Sequence, residues 1–208
     1  VSIQVCNHNY LLADAFHRKN GWRPLLRDYQ AAVIDEAHRL PEATEQMLTH
    51  HLSARELHQL AHRLEQQRLT RGAQRLRAAT EALAAACQPQ EPCRARAERQ
   101  VSYQPTQERQ AALTDLQSCI GELLRRYQER LPMSLRHQLQ ATSETAALFT
   151  QPPEDWIAYI KYETVSDKQT ETEFTLCAVP LDQPGYLHTL LWQREKPAIL
   201  TSGTLAAG

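Results

Sequence analysis

Long hydrophobic runs are missing from this 208-residue chain. None approaches the roughly 20 apolar residues that a helix needs to cross a bilayer. The first residues carry neither the basic nor the apolar region of a secretory signal, so the expected compartment is the cytoplasm, with no membrane partner. Tightly spaced cysteines are also missing. The five present are an odd number without close pairing, which argues against a disulfide scaffold and for free thiols in a reducing compartment. Cys87 and Cys93 flank a Pro-rich turn without the Cys-x-x-Cys spacing of common metal sites. Cys6 and Cys177 read as strand residues, and Cys119 as a small hydrophobe on the apolar side of a helix. Four histidines, His50, His51, His58 and His62, lie close together, and His58 and His62 share a helical face. With no cysteine near and no glutamate in the zinc-protease position, they do not make a metal motif.

No charge sign dominates, the formal net charge being −1, but the charges are unevenly placed. Nine arginines face five acids between Arg55 and Arg99, whereas eight acids face four bases from Thr150 onward. An apolar content of 42% is ordinary for a globular protein and suffices for one substantial core or two smaller ones.

The most informative run present is Ala31-Ala32-Val33-Ile34-Asp35-Glu36-Ala37-His38. It reads as a buried strand followed at once by two carboxylates and an imidazole. Polar residues that leave a parallel strand at its carboxyl end emerge where α/β sheets bind ligands. In phosphoryl-transfer sites of this kind one carboxylate holds magnesium through water and the next orients or deprotonates the attacking water. On the tetrapeptide alone, the same acidic residues equally open an ordinary helix. Near the other end, Ala198-Ile199-Leu200 reads as a second strand running into Thr201-Ser202-Gly203-Thr204-Leu205, hydroxyls placed to bond a neighbouring carboxylate or histidine, or else a Ser/Thr turn. A third segment, Ile3 to Asp14, reads as a strand, a polar turn at Asn7-His8-Asn9 and a short apolar helix.

Between these ends the pattern is helical. Pro41 opens a helix at Glu42 with Met47 and Leu48 on its buried side. Ser53-Ala54-Arg55-Glu56 is a capping box leading into Leu57, Leu60, Ala61 and Leu64, and that helix runs on to about Cys87 with Gly72 as a candidate interruption. Residues 88–92 break it. Thr106 caps a long helix whose stripe extends from Leu113 to Leu131, Pro132 ends it, and another helix covers Ser134 to about Phe149 before Pro152-Pro153. Beyond lie two strands, Asp155 to Tyr162 and Glu173 to Val179, joined through residues 166–170 as a hairpin, and then a short helix around Tyr186 to Trp192. The expected fold is thus α/β strands at both ends flanking a mostly α-helical insertion, with a β-hairpin near the C-terminal end.

Taken in order, the motifs resemble the XPD/DinG family of superfamily 2 DNA helicases. Asn7-His8 with Leu11-Leu12 is similar to the family's Asn-His…Leu-Leu signature. Asp35 to His38 is similar to motif II, the DEAH box, and Ser202-Gly203-Thr204-Leu205 to motif III, with Gly203 where alanine is common. The long insertion between motifs II and III also resembles this group rather than the DEAH-box RNA helicases. The resemblance implies motor-domain residues at 1–44, a helical arch-like insertion at 45–153, and return strands at 154–208. It implies Asp35 as the water-mediated magnesium holder, Glu36 as the residue activating water, and His38 with Ser202 and Thr204 as the coupling from nucleotide state to DNA grip. ATP and magnesium would be the cofactors, and single-stranded DNA, traversed 5′ to 3′, the partner in a bacterial-type, nucleoid-associated setting. An iron-sulfur cluster is possible in the parent, its ligands lying before Val1. Arg63, Arg68, Arg71, Arg75 and Arg77 are candidate phosphate contacts on the arch, or else a solvated face laced with ion pairs.

No Gly-x-x-x-x-Gly-Lys-Ser/Thr phosphate loop occurs in the sequence. The chain is therefore expected to be a piece of a larger helicase, inactive alone and dependent on a phosphate-loop region and a second motor domain. Two other readings stay open: a DinG-like nuclease or regulator, and a non-catalytic helical module that binds DNA or protein.

Overall fold

The computed structural model describes residues 2–89, 99–164, 172–193 and 196–203. Its elements, in chain order, are α1 (His8–Lys19), β1 (Ala32–Ile34), α2 (Leu40–Leu48), β2 (His50–Ser53), α3 (Ala54–Gln66), α4 (Thr70–Ala86) and β3 (Arg99–Ser102). There follow α5 (Gln107–Arg126), α6 (Met133–Thr150), β4 (Trp156–Thr164), β5 (Thr172–Pro180), α7 (Gln183–Leu187) and β6 (Ala198–Leu200). A 3₁₀ turn, Ala37–Arg39, precedes α2, and a π-helical turn, His188–Trp192, extends α7. The chain is mixed α/β with two small sheets, and it divides into two compact units, residues 1–49 with 180–208 and residues 50–179.

In the first unit β1 and β6 lie side by side and parallel, pairing Ala32 with Ala198, Val33 with Ile199 and Ile34 with Leu200. One face of the pair is covered: Ile34, Ala37 and Leu40 are buried against Leu11, Leu187, Leu191 and Trp192. On the other face Val33 is 69% and Ile199 60% exposed. Helix α1 is capped by Asn7, whose side chain accepts the Tyr10 N–H at 2.8 Å. Its fully buried Asp14 accepts from Arg18 Nε at 2.7 Å and from the Leu25 and Leu26 amides at 2.8 and 2.9 Å. A buried carboxylate is tolerable only when its lone pairs are matched in this way, and the matching ties the loop before β1 to the helix.

The strand expected at Ile3–Cys6 does not form. A strand exists only beside a ladder partner, and here the Gln4 side chain alone is tied, to the Arg27 backbone at 3.2 and 2.9 Å. Ile3 and Val5 point into solvent, and Cys6 is exposed rather than a strand-core residue.

The second unit is a four-helix layer, α3 to α6, on a four-stranded sheet of order β2-β5-β4-β3. The capping box at Ser53 is present, with Glu56 reaching back to the Ser53 amide, and Leu57, Leu60, Ala61 and Leu64 enter the core. The helix expected to run to Cys87 instead stops at Gln66. Arg68 takes the left-handed conformation, φ 59°, while the Leu69 amide reaches back to the Leu64 carbonyl at 3.0 Å and Leu69 is buried. This is a Schellman ending with arginine in the place usually held by glycine. Gly72 is no interruption: it lies inside α4, where a Cβ would come within 2.5 Å of Leu123 Cδ2, so its missing side chain permits the close approach of α5.

The stripe of α5 is buried at Leu113, Leu116, Ile120 and Leu123, but the helix ends at Arg126, short of the expected Leu131. The hairpin strands β4 and β5 belong with this unit, not with the return to the first: β5 pairs antiparallel with β2 and β4 with β3. Their apolar faces, Ile160, Tyr162, Phe174 and Leu176, need the helical layer for burial. Tyr103 and Tyr162 donate their hydroxyls to the Phe149 and Cys87 carbonyls at 3.1 and 2.9 Å, satisfying carbonyls at the ends of α6 and α4. Residues 166–170 and Cys93 lie outside the described residues, and among the described residues no helix is long and apolar enough to cross a membrane.

Candidate functional site

The parallel pairing of β1 with β6 brings the two polar runs that follow them together. The Thr201 amide donates to the Ile34 carbonyl and the Ala37 amide to the Thr201 carbonyl, both at 2.9 Å, so the ladder continues past the strands. Across it, Thr201 Oγ1 donates to Asp35 Oδ1 at 2.7 Å. The Asp35 carboxyl is exposed and held below the usual carboxylate range, first by this hydroxyl and then by the Glu36 amide, which together outweigh its slight desolvation. It is ionised at neutral pH.

Glu36 carries the strain of the site. It sits at φ 49°, ψ 46°, the left-handed region that a side chain with a Cβ disfavours. The turn it makes swings its carboxylate back onto His38, whose Nδ1 lies 3.0 Å from Glu36 Oε2 and 2.6 Å from Ser202 Oγ. A ring protonated at Nδ1 satisfies both neighbours: it donates toward Glu36 and Ser202, while the Ser202 hydroxyl donates to the same carboxylate at 3.5 Å. Strain at a residue bearing an exposed carboxylate is the pattern found at functional sites.

His8 approaches from the first turn of α1. Its Nε2 lies 2.8 Å from the Asp35 carbonyl oxygen, and because a carbonyl only accepts, this nitrogen carries the proton. The Asn7 cap fixes the ring's starting point, so α1 grips the backbone between β1 and Glu36. The three sequence segments therefore meet at one place: Asp35, Glu36, His38 and Ser202 are neighbours there. Thr204 lies outside the described residues. Thr201 was named only as one of several hydroxyls able to bond a carboxylate, and His8 only within the Asn-His segment; neither was given a site role by sequence reasoning. The available signals were the helix cap in front of His8 and the position of Thr201 as the first hydroxyl after an apolar strand.

An ionised, exposed carboxylate braced by a hydroxyl, beside a second carboxylate, suits a magnesium ion. Such ions take one or two protein carboxylates, keep several waters and complete their shell with substrate phosphates. Asp35 would hold the ion through water. No cluster of three or more metal-ligating side chains occurs among the described residues, and this mode of binding needs none.

The five arginines do not form one cationic surface. Arg77 is engaged by both carboxylate oxygens of Glu65, Arg75 by Glu122, and Arg63 by Gln138 and Ser134. The Glu65 and Glu122 carboxyls are held low mainly by these arginine hydrogen bonds. Arg68 and Arg71 are exposed and make no side-chain bond among the described residues. The buried thiol of Cys87 is pushed up to about 11 by desolvation, which removes it as a nucleophile. A scan against models of known protein families gives no match, and a search of curated proteins finds none.

Proposed function

We propose that residues 1–49 and 180–208 form the magnesium and water-activating edge of an ATP-dependent DNA helicase motor similar to the XPD/DinG family. The observation that carries this reading is the meeting of Asp35 with Thr201, and of Glu36 with His38 and Ser202, across adjacent parallel strands. Magnesium, when bound with ATP, supplies neutralisation of the charge on the β- and γ-phosphates. Asp35 anchors that ion's water shell, and Thr201 fixes the rotamer of Asp35. Glu36 takes the proton of the attacking water and releases it to solvent from its exposed carboxylate, while the Nδ1–H of His38 holds that carboxylate in place. His38 and Ser202 connect that carboxylate to the strand end leading into Thr204, the route by which nucleotide state reaches the DNA grip. His8 holds the Asp35 backbone in register and acts as a positioning residue.

The exposed apolar face of β1 and β6 supports the same reading. A two-stranded parallel sheet open on one face is not a stable design, since parallel sheets are covered on both faces. Further strands carrying the phosphate-cradling loop would complete it. Residues 50–179 are the arch-like insertion, with single-stranded DNA as partner and Arg68 and Arg71 as the exposed phosphate contacts. The internal engagement of Arg63, Arg75 and Arg77 favours a second role for this unit, a structural or protein-binding module. Glu36→Gln in a full-length protein that carries the phosphate loop is expected to abolish ATP turnover while nucleotide binding persists. Unchanged turnover refutes the assignment.

A further inference from the structure

Helix α1 ends in a turn that holds one aromatic ring out to solvent. The Gly21 amide bonds the Arg18 carbonyl at 3.2 Å and the Trp22 amide the His17 carbonyl at 2.8 Å, a Schellman motif with Gly21 at φ 69°. The apolar contact that accompanies this motif is made by Trp22, which meets Phe16 at 5.6 Å and His17 at 5.3 Å, both edge-to-face. His17 Nδ1 donates to the Arg23 carbonyl at 2.9 Å, closing the turn on its far side. The indole is therefore fixed by its neighbours yet 55% exposed. A cap contact alone needs only a small apolar group, so the size and exposure of this ring are unexplained by the turn.

The surroundings are basic. Arg18, Lys19, Arg23 and Arg27 lie within the turn and the loop that follows it, against a single acid, Asp28. Arg18 and Asp28 are already engaged, since Arg18 pairs with Asp14 and with Asp28, and Asp28 also pairs with Lys196. Lys19 rests over the Tyr186 ring at 4.5 Å. Arg23 and Arg27 have exposed side chains that bond nothing among the described residues. A rigid, half-exposed π-face beside unpaired guanidinium groups matches one ligand chemistry closely: a stacked base on a phosphodiester backbone.

We propose that Trp22, with Arg23 and Arg27, is a stacking platform for single-stranded nucleic acid. A protein partner fits less well, because an isolated indole ringed by like charges is not the contiguous apolar patch that protein docking uses. The proposal concerns the partner named above but does not depend on ATP chemistry at Asp35 and Glu36.

The test uses the 208-residue chain and a labelled oligothymidylate, with an abasic phosphodiester of equal length as control, both read by anisotropy at two salt concentrations. Trp22→Leu keeps an apolar contact on Phe16 but has no π-face, and it is expected to weaken oligothymidylate binding about tenfold while leaving the weak binding of the abasic strand unchanged. Trp22→Phe restores most of the loss, and Arg23→Gln weakens both ligands and lowers the salt slope. Equal affinity of the wild type and Trp22→Leu for oligothymidylate overturns the proposal. So does an equal loss on the abasic strand, or retention on anionic lipid vesicles without oligonucleotide binding. Glu36-dependent ATP turnover in a protein whose Trp22 is inert would sink the platform alone. Stacking by the 208-residue chain, combined with no Glu36-dependent turnover in a full-length protein that carries the phosphate loop, would sink the motor reading alone.

Discussion

Replacing Glu36 by glycine and, separately, by alanine divides the cost of its backbone from the contribution of its side chain. At φ 49°, ψ 46° a Cβ crowds the following carbonyl, at a cost of about 1–2 kcal/mol. Alanine keeps that strain. Glycine removes it but loses roughly 0.5–1 kcal/mol through its greater freedom in the unfolded chain. Both variants lose the carboxylate's contacts with His38 and Ser202, so these terms cancel between them. Glycine is therefore expected to be the more stable by about 0.5–1 kcal/mol, the reverse of the order at ordinary positions. Trp22 and Trp192 lie in the first unit and Trp156 in the second, so urea unfolding followed by tryptophan emission in a Trp156→Phe background reports the unit that contains Glu36. With slopes of about 1–3 kcal/mol per molar urea, the midpoints should separate by a few tenths of a molar. Equal midpoints, or a higher one for alanine, refute the claim that strain is held at this residue. The functional corollary is that neither variant supports turnover in the full-length protein, because the side chain whose placement justifies the strain is gone.

Two further outcomes follow from particular contacts. His8→Ala is expected to lower the turnover number of the full-length protein about five- to tenfold with little change in KM for ATP, the effect of one net hydrogen bond. His8→Gln, which keeps a side-chain N–H, restores it, and a KM effect without a turnover effect contradicts the positioning role. The His50 imidazole is held below its ordinary 6.5 by burial first and by repulsion from His51 second. Between the lowered folded value and 6.5 the unfolded chain binds a proton that the folded chain does not, so the stability of residues 50–179 rises with pH in that window and falls on acidification. His50→Gln should flatten that slope in urea midpoints read from Trp156. An unaltered slope counts against it.

What the sequence made legible was local chemistry with a fixed offset. The capping box at Ser53, the Thr106 cap and the stripe from Leu113 to Leu123 were readable because each depends on residues three or four apart. The ending of α3 was not, because its left-handed residue is Arg68 and the usual glycine signal is absent. Strands β2 and β3 were hidden for another reason. His50–Ser53 and Arg99–Ser102 are polar edge strands whose only claim to strand structure is the partner they pair with. The site shows the same division. Asp35, Glu36, His38 and Ser202 stood out by type and order, whereas which hydroxyl of the Thr201 run meets Asp35, and that His8 reaches the Asp35 carbonyl, emerge only once β6 lies beside β1 and α1 packs there. The grouping of arginines in the chain overstated their availability because folding pairs them with acids: Arg75 with Glu122 of α5, outside the stretch, and Arg77 with Glu65 of the neighbouring helix α3, within it.

The long excursion between β1 and β6 is less costly to the site than its length suggests. Closing a flexible loop costs an entropy that grows as the logarithm of its length, and about 160 residues separate the two strands. Within the second unit, however, β2 pairs with β5 so that His50 sits opposite Ala178. Once that unit folds, the chain returns close to the point where it left, and the free loop that the β1–β6 pair must close shrinks to about 35 residues. Two halvings and a little more of loop length lower the closure cost by roughly 1–1.5 kcal/mol, comparable to a whole hydrogen bond in a two-stranded sheet that has few. The pairing of the insertion's two ends thus favours the Asp35–Thr201 contact through loop closure. The register of that pairing, set by His50 to Ser53 against Thr175 to Ala178, is part of what allows two carboxylates and two hydroxyls some 165 residues apart to meet.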